Sequence, residues 1–322
     1  MPEDMSQWVP ERVRWGGAGP LVEWIHGGGR RFTEPFFEDT VRRFRWEPSA
    51  VEIRRQTGMA EAEGWAEGHP GLRPAGFVFH LSRCGSTLIS QMLAALPRNR
   101  VMSEATPLDD VLRLAFRRPE LDAEQLAGWL RAMVSALGQP AAETERHYFV
   151  KWDCWHTHRL APIRRAFPLT PWIFLYRDPV EVLVSQMRQP GGWTVPGALE
   201  AGLTGGADGR AGREEYCAQL LAGICQAAIG QRAILVNYTE LPEAVYDRLA
   251  AYFGVEYSEG ERRQMLAAAR FDAQSPRFPF ASDGEAKRGA ASQRAVEAAG
   301  RWMGGIYREL ERLRKAGQGL PA

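Results

Sequence analysis

Residues 76–88 constrain the fold more than any other stretch. An apolar run, Gly76-Phe77-Val78-Phe79, leads into His80-Leu81-Ser82-Arg83-Cys84-Gly85-Ser86-Thr87-Leu88. The pattern predicts a strand at 76–80, a tight turn, and a helix over Thr87–Leu96 with apolar spacing suited to packing on a sheet. Backbone amides in such a turn, and the positive end of the helix behind it, favour an anion. The common triphosphate-binding form of this loop is G-x-x-x-x-G-K-[ST], whose Lys reaches the outer phosphates. Aligned on Gly85 and Thr87, Ser86 stands at the Lys position and His80 at the first Gly position. Arg83 brings a planar guanidinium instead of the Lys point charge. That exchange points to a phosphate-bearing ligand other than ATP.

A second strand end carries the same kind of signal. Trp172-Ile173-Phe174-Leu175-Tyr176 is continuously apolar, as a parallel strand covered on both faces should be. It ends in Arg177-Asp178-Pro179, with Pro179 suited to the first turn of a helix, and Ser185 follows eight residues after Arg177. A guanidinium and a hydroxyl at one strand end are donors fitted to a phosphate. Further strands are expected at 148–151 and 233–236, and helices at 108–116, 121–137, 214–229, within 241–270, and at 291–316. Thr33 reads as the N-cap of a helix whose first turn holds Glu38 and Asp39. Strands alternating with helices predict an α/β fold with a doubly wound parallel sheet. Gly71-Leu72-Arg73-Pro74 is the expected boundary between an N-terminal extension, residues 1–72, with little strand pattern, and an α/β domain, residues 73–322. Residues 189–212 hold eight glycines and two prolines and are expected to form a long mobile loop near the site.

The two strand ends together resemble the sulfotransferases that use 3′-phosphoadenosine 5′-phosphosulfate (PAPS). Their loop is commonly P-[KR]-[SG]-G-[ST]-[ST]-[LW], which 82–88 matches except for Ser82 and Cys84. In form the loop is closest to that of tyrosylprotein sulfotransferases. The resemblance spans roughly residues 75–315. It implies that Arg83, Cys84, Gly85, Ser86 and Thr87 cradle the 5′ side of the nucleotide, and that Arg177 and Ser185 hold the 3′-phosphate. Tyr238, in Tyr238-Thr239-Glu240-Leu241, matches the family's Y-E-x-L segment loosely. Lys287 and Arg288 stand where cytosolic members carry R-K-G, in the order K-R-G, and a solvated role for them stays open. Lys151 corresponds to a strand-end Lys that bridges donor and transition state.

Two residues compete as general base. Glu104 lies where tyrosylprotein and heparan-type relatives place a catalytic Glu. Asp153 lies where cytosolic members have K-T-H, and neither His156 nor His158 is in that register. Sulfuryl transfer needs cations on the developing charge and a base for a hydroxyl acceptor. Trp152, Trp155 and Trp193 are candidates to line the acceptor pocket. An ATP-dependent phosphotransferase and a non-catalytic nucleotide-binding module remain the alternative readings.

Composition narrows the partners. The formal net charge of +1 argues against a general nucleic-acid binder. The acidic N-terminus lacks the apolar core of a signal peptide, and no apolar stretch is long enough to span a membrane. Cys84, Cys154, Cys217 and Cys225 form no C-x-x-C pair, so reduced thiols in a cytoplasmic, GC-rich bacterial setting are expected, with no metal.

Overall fold

The structure is a computed structural model that describes residues 5, 7–17, 19–27, 29–46, 54–200, 203–204, 206–275, 277–279 and 283–317. Five parallel strands form the central sheet: β4 (Pro74–His80), β5 (Asn99–Ser103), β6 (His147–Lys151), β7 (Trp172–Tyr176) and β8 (Ile234–Asn237). Their spatial order is β5-β6-β4-β7-β8, so the strand carrying the anion-binding turn is central. Phe77 and Phe79 of β4 pair in register with Trp172 and Phe174 of β7. Every residue of β7 is buried, which explains its unbroken apolar run. Helices 86–94, 106–117, 123–137, 179–188 and 213–228 connect and flank the strands. This is the α/β architecture expected from the alternation of strands and helices.

The strand β5 was not foreseen, and its composition explains why. Asn99 and Arg100 look like loop residues but are buried. Arg100 donates to the Leu137 carbonyl at 2.6 Å and to Glu145 at 3.2 Å, so its charge is paired inside the protein. The segment 233–236 begins its strand one residue later than expected and ends at Asn237.

The N-terminal segment departs from the expectation of little strand pattern. It forms an antiparallel three-stranded sheet, β1 (Trp8–Gly16), β2 (Gly19–His26) and β3 (Arg54–Gly58). Its alternation is masked by Glu11, which is buried and takes a 2.6 Å hydrogen bond from Arg45. Arg12 and the backbone of Val13 both bond Asp110 on helix 106–117, at 2.8 and 2.9 Å. The apolar core runs without a break from Trp24 and Phe37 into Phe77 and Phe79. The first helix is Phe37–Arg45, so Phe36 stands at its N-cap and Thr33 does not. Glu38 and Asp39 do fall in its first turn.

Most of the remaining helices sit close to expectation. Residues 241–270 give Glu243–Tyr246, Arg248–Tyr252 and Glu259–Ala268. The last segment gives Gln293–Trp302 and Gly304–Lys315. Residues 201, 202 and 205 of the glycine-rich loop, and residues 280–282 before the K-R-G segment, lie outside the described residues. Among the described residues, no helix is long and apolar enough to cross a membrane.

Candidate active site

The turn after β4 adopts a backbone that side chains rarely take. Ser82 and Arg83 have φ of 54° and 49°, and Gly85 has φ of 92°. Such left-handed residues at a strand–helix junction are costly and concentrate at ligand sites. Gly85 caps helix Ser86–Ala94. A Cβ there would lie 2.6 Å from the Tyr238 ring, so only glycine lets the turn close. Cys84 points inward and donates to the Leu175 carbonyl at 3.3 Å, with its thiol pushed up to about 12 by burial. The cysteine is a packing residue of the turn and exposes no thiolate.

A cavity of about 470 Å³ lies against this turn. Arg83, Gly85, Ser86 and Thr87 line it from the turn, Arg177 and Ser185 from the end of β7 and its helix, and Tyr238 and Lys287 from further along the chain. Arg83 and Arg177 therefore face one cavity from two strand ends. Arg83 Nε donates to Ser185 Oγ at 2.9 Å, and its other nitrogens reach Gln274 at 2.9 Å and Gln189 at 3.3 Å. Arg177 Nε donates to buried Glu181 at 2.6 Å, and its guanidinium lies 4.0 Å from the Tyr238 ring centre. Asp283 sits between two cations, 3.2 Å from Arg177 and 2.8 Å from Lys287. Asp178, the neighbour of Arg177, caps the helix by accepting from Val180 and Glu181 N–H at 3.0 and 3.1 Å. Arg288 pairs with Glu181 and does not line the cavity.

Behind the turn, Lys151 ends β6 almost fully buried, at 1% exposure. Its Nζ lies 2.7 Å from Glu104 Oε1 and 3.3 Å from Thr87 Oγ1. Phe36 covers it, with the ring centre 4.7 Å from Nζ. Glu104 follows β5 with φ of 56°, held by its N–H on the Lys151 carbonyl at 2.8 Å. Burial alone would raise the Glu104 carboxyl; the Lys151 charge and His80 outweigh it and hold Glu104 well below the carboxylate range, at about 2.

A second cavity, about 430 Å³, meets the first at Phe36, Glu104 and Trp193. Asp153, Trp155, Asp109 and Arg113 line it, but Glu104 alone of the two candidate bases faces both cavities. Burial, and then the charges of Glu104 and Asp109, push the Asp153 carboxyl well above its usual range. Of the three tryptophans, Trp155 and Trp193 line this cavity, whereas Trp152 is core, stacked on Phe79 with ring centres 5.8 Å apart. Asp109, Asp153 and His156 each offer a ligand-type atom, all within 4.8 Å of one another. His156 Nε2 is already engaged with Asp109 at 3.1 Å, and its Nδ1 takes the Asp153 N–H at 3.1 Å. Both ring nitrogens of His156 are thus engaged within the protein, while the Asp153 carboxylate lies 3.9 Å from Nε2.

Phe36, His80, Gln189 and Gln274 line the first cavity without being expected there, and Trp193, expected on the acceptor side, reaches it as well. His80 was the one visible signal, as the odd residue at the first Gly position of the loop.

The chain belongs to the sulfotransferase family, whose model matches residues 74–259, more than half of its length. Its chemistry is accordingly sulfuryl transfer. The match does not single out the tyrosylprotein branch that the loop resembles. Similar solved structures include sulfotransferase STF9 of Mycobacterium avium, 15% identical over 79% of this chain and 81% of that one, with a TM-score of 0.46. A sulfotransferase from Alicyclobacillus acidocaldarius is 12% identical over 76% and 96% of the two chains, with a TM-score of 0.42. The sulfotransferase domain from the curacin biosynthetic pathway is 17% identical over 78% and 99%, with a TM-score of 0.40. Among curated proteins no match was found.

Proposed function

We propose that the protein transfers a sulfuryl group from PAPS to a hydroxyl acceptor. The observation that carries this reading is the shared cavity: Arg83 and Arg177 reach it from two strand ends, and it opens onto a second cavity at Glu104. The residues fit a doubly phosphorylated adenosine. The left-handed turn at Ser82–Gly85 leaves amides for one phosphate group, and Arg177 with Lys287 makes a separate cationic end for the other. The nucleotide supplies the sulfuryl group and a phosphate leaving group.

The chain supplies the rest. Arg83 and the turn hold the 5′ side, and Lys151 lies behind Thr87 as a cation for charge developing on the transferred group. Arg177, Ser185 and Lys287 serve the 3′ side, where Asp283 must give way to a phosphate. Glu104 borders both cavities and is ionised at neutral pH, so it is in the form that accepts the acceptor's proton. Asp153 has the higher proton affinity but borders only the acceptor side.

Isothermal titration with 3′-phosphoadenosine 5′-phosphate (PAP), alongside ATP with magnesium, tests the reading. PAP is expected to bind and ATP to bind far more weakly. Absence of PAP binding at millimolar ligand removes the proposal. Magnesium-dependent ATP binding in preference to PAP returns the phosphotransferase alternative.

A further inference from the structure

The sequence gives His80 no role beyond occupying the place of a glycine. In the structure it is buried, at 4% exposure, and lines the first cavity. Its Nδ1 accepts the Ser82 N–H at 3.0 Å. A neutral imidazole whose Nδ1 accepts must carry its proton on Nε2. That Nε2 makes no well-aligned hydrogen bond; its polar neighbours are the Trp152 backbone and, at 3.4 Å, Glu104 Oε1. A buried donor without a well-aligned partner is costly and calls for an explanation.

Glu104 supplies one. Lys151 Nζ and His80 Nε2 both make their shortest approach to the same oxygen, Oε1. Among the described residues, no side-chain hydrogen bond ends on Oε2. The carboxylate is thus held most closely through Oε1, which leaves Oε2 the freer oxygen for a ligand.

We propose that His80 is the positioning residue of Glu104: with Lys151 it fixes Oε1, so that Oε2 is presented to the acceptor hydroxyl where the two cavities meet. This rests on Glu104 being the base of the sulfuryl transfer proposed above. The acceptor O–H proton passes to Oε2, the acceptor oxygen forms the new bond to sulfur, and the bond from sulfur to the 5′-phosphate oxygen breaks with its electrons leaving on the nucleotide. His80 gains and loses nothing in this step. Desolvation keeps it neutral, so it orients the carboxylate without adding a second full charge beside Lys151.

Two substitutions separate this role from mere support of the turn. Asn at 80 keeps an acceptor where Nδ1 meets the Ser82 N–H but has nothing at the Nε2 position. Gln places an N–H donor where Nε2 stands but gives up the Ser82 contact. The first readout needs no substrate: carbon-13 titration of the Glu104 carboxyl, assigned by its disappearance in Glu104→Gln. His80→Asn should raise the Glu104 midpoint by about one pH unit, the loss of an N–H directed at a charged carboxylate, whereas His80→Gln should leave it near the wild-type value. The second readout is PAPS turnover with a phenolic acceptor, where kcat should fall on the order of tenfold or more in His80→Asn with KM for PAPS little changed, and recover in His80→Gln.

The reverse order, with Asn retaining function and Gln losing it, overturns the proposal in favour of a structural role through Ser82. Equal behaviour of the two variants, or a Glu104 midpoint that does not respond to either, overturns it as well. Because the titration is made on the protein without nucleotide, it judges His80 even if PAP fails to bind.

Discussion

Arg83 Nε donates to Ser185 Oγ across 2.9 Å, joining the turn after β4 to the helix after β7, 102 residues apart in sequence. The contact ties the two strand-end motifs into one wall of one cavity. It also orients the guanidinium before any ligand arrives, which lowers the ordering cost of binding.

Ser185→Ala should therefore weaken PAP binding by about fivefold, the worth of one neutral hydrogen bond, and Arg83→Ala by about 10- to 150-fold, the worth of a charge-assisted one. Isothermal titration of the two variants measures both. Unchanged affinity in Arg83→Ala would mean that the guanidinium does not touch the nucleotide.

Asp283 occupies the space between Arg177 and Lys287. A carboxylate there competes with an incoming phosphate for the same donors and repels it. Asp283→Asn should tighten PAP binding on the order of tenfold, as expected for removing a like charge a few ångströms from the phosphate. The gain should shrink as salt is added. Weaker binding in this variant would place the 3′-phosphate elsewhere.

The legible parts of this molecule are those where local chemistry and tertiary role agree. The run 172–176 is apolar because both faces of β7 are covered, so its limits are readable to the residue. Gly85 announces a turn because its backbone requires glycine, and Pro179 announces the helix after Asp178. The missed parts are those where a polar residue is buried with a distant partner. Arg100 hides β5 because Glu145 is 45 residues away, and Glu11 hides β1 because Arg45 comes from a later helix. The site divides in the same way. Arg83, Arg177, Ser185 and Lys287 were visible as donors, but Phe36, which covers Lys151, belongs to a segment with no motif and reaches the cavity only through the packing of helix 37–45. Asp283, poised against Arg177, lies 106 residues from it and had no local signature.

Lys151 and Glu104 form a buried pair with the Lys at 1% exposure. Removing one partner strands a charge. Lys151→Met should cost about 3–5 kcal/mol of unfolding free energy, whereas Lys151→Met combined with Glu104→Gln should recover most of that loss. Urea denaturation of the wild type, both single variants and the double variant gives the coupling energy. Additive losses would show that the 2.7 Å contact contributes nothing.

Glu104→Gln keeps the shape and removes the proposed base. Sulfuryl transfer should slow by about 10²–10⁴-fold while PAP affinity is retained. Steady-state turnover with PAPS and a phenolic acceptor, beside PAP titration, separates the two effects. Full activity in this variant would move the base to Asp153.

Asp153 provides a pH-dependent test of the site's electrostatics. The groups that act on it are Glu104 and Asp109, which repel its charge, and Lys151 and Arg113, which attract it; His156 Nε2 lies 3.9 Å away. Burial and the two neighbouring carboxylates prevail, so its folded pKa lies above the unfolded one. A carboxyl raised in this way favours the folded state fully only below its unfolded pKa, and that contribution is lost as pH rises through the folded pKa. At pH 7 the folded protein therefore carries the penalty of an ionised or proton-holding Asp153, and at pH below about 4 it does not. Asp153→Asn should raise stability at pH 7 by about 0.5–2 kcal/mol, the range common for single stabilising substitutions, and the gain should vanish on acidification. Glu104 titrates in the opposite sense, its stabilisation fading as pH falls from the usual carboxylate range toward about 2. Urea denaturation of both proteins at pH 7 and at pH 3.5 distinguishes them, and a gain of equal size at both values would show that the raised proton affinity of Asp153 is not the cause.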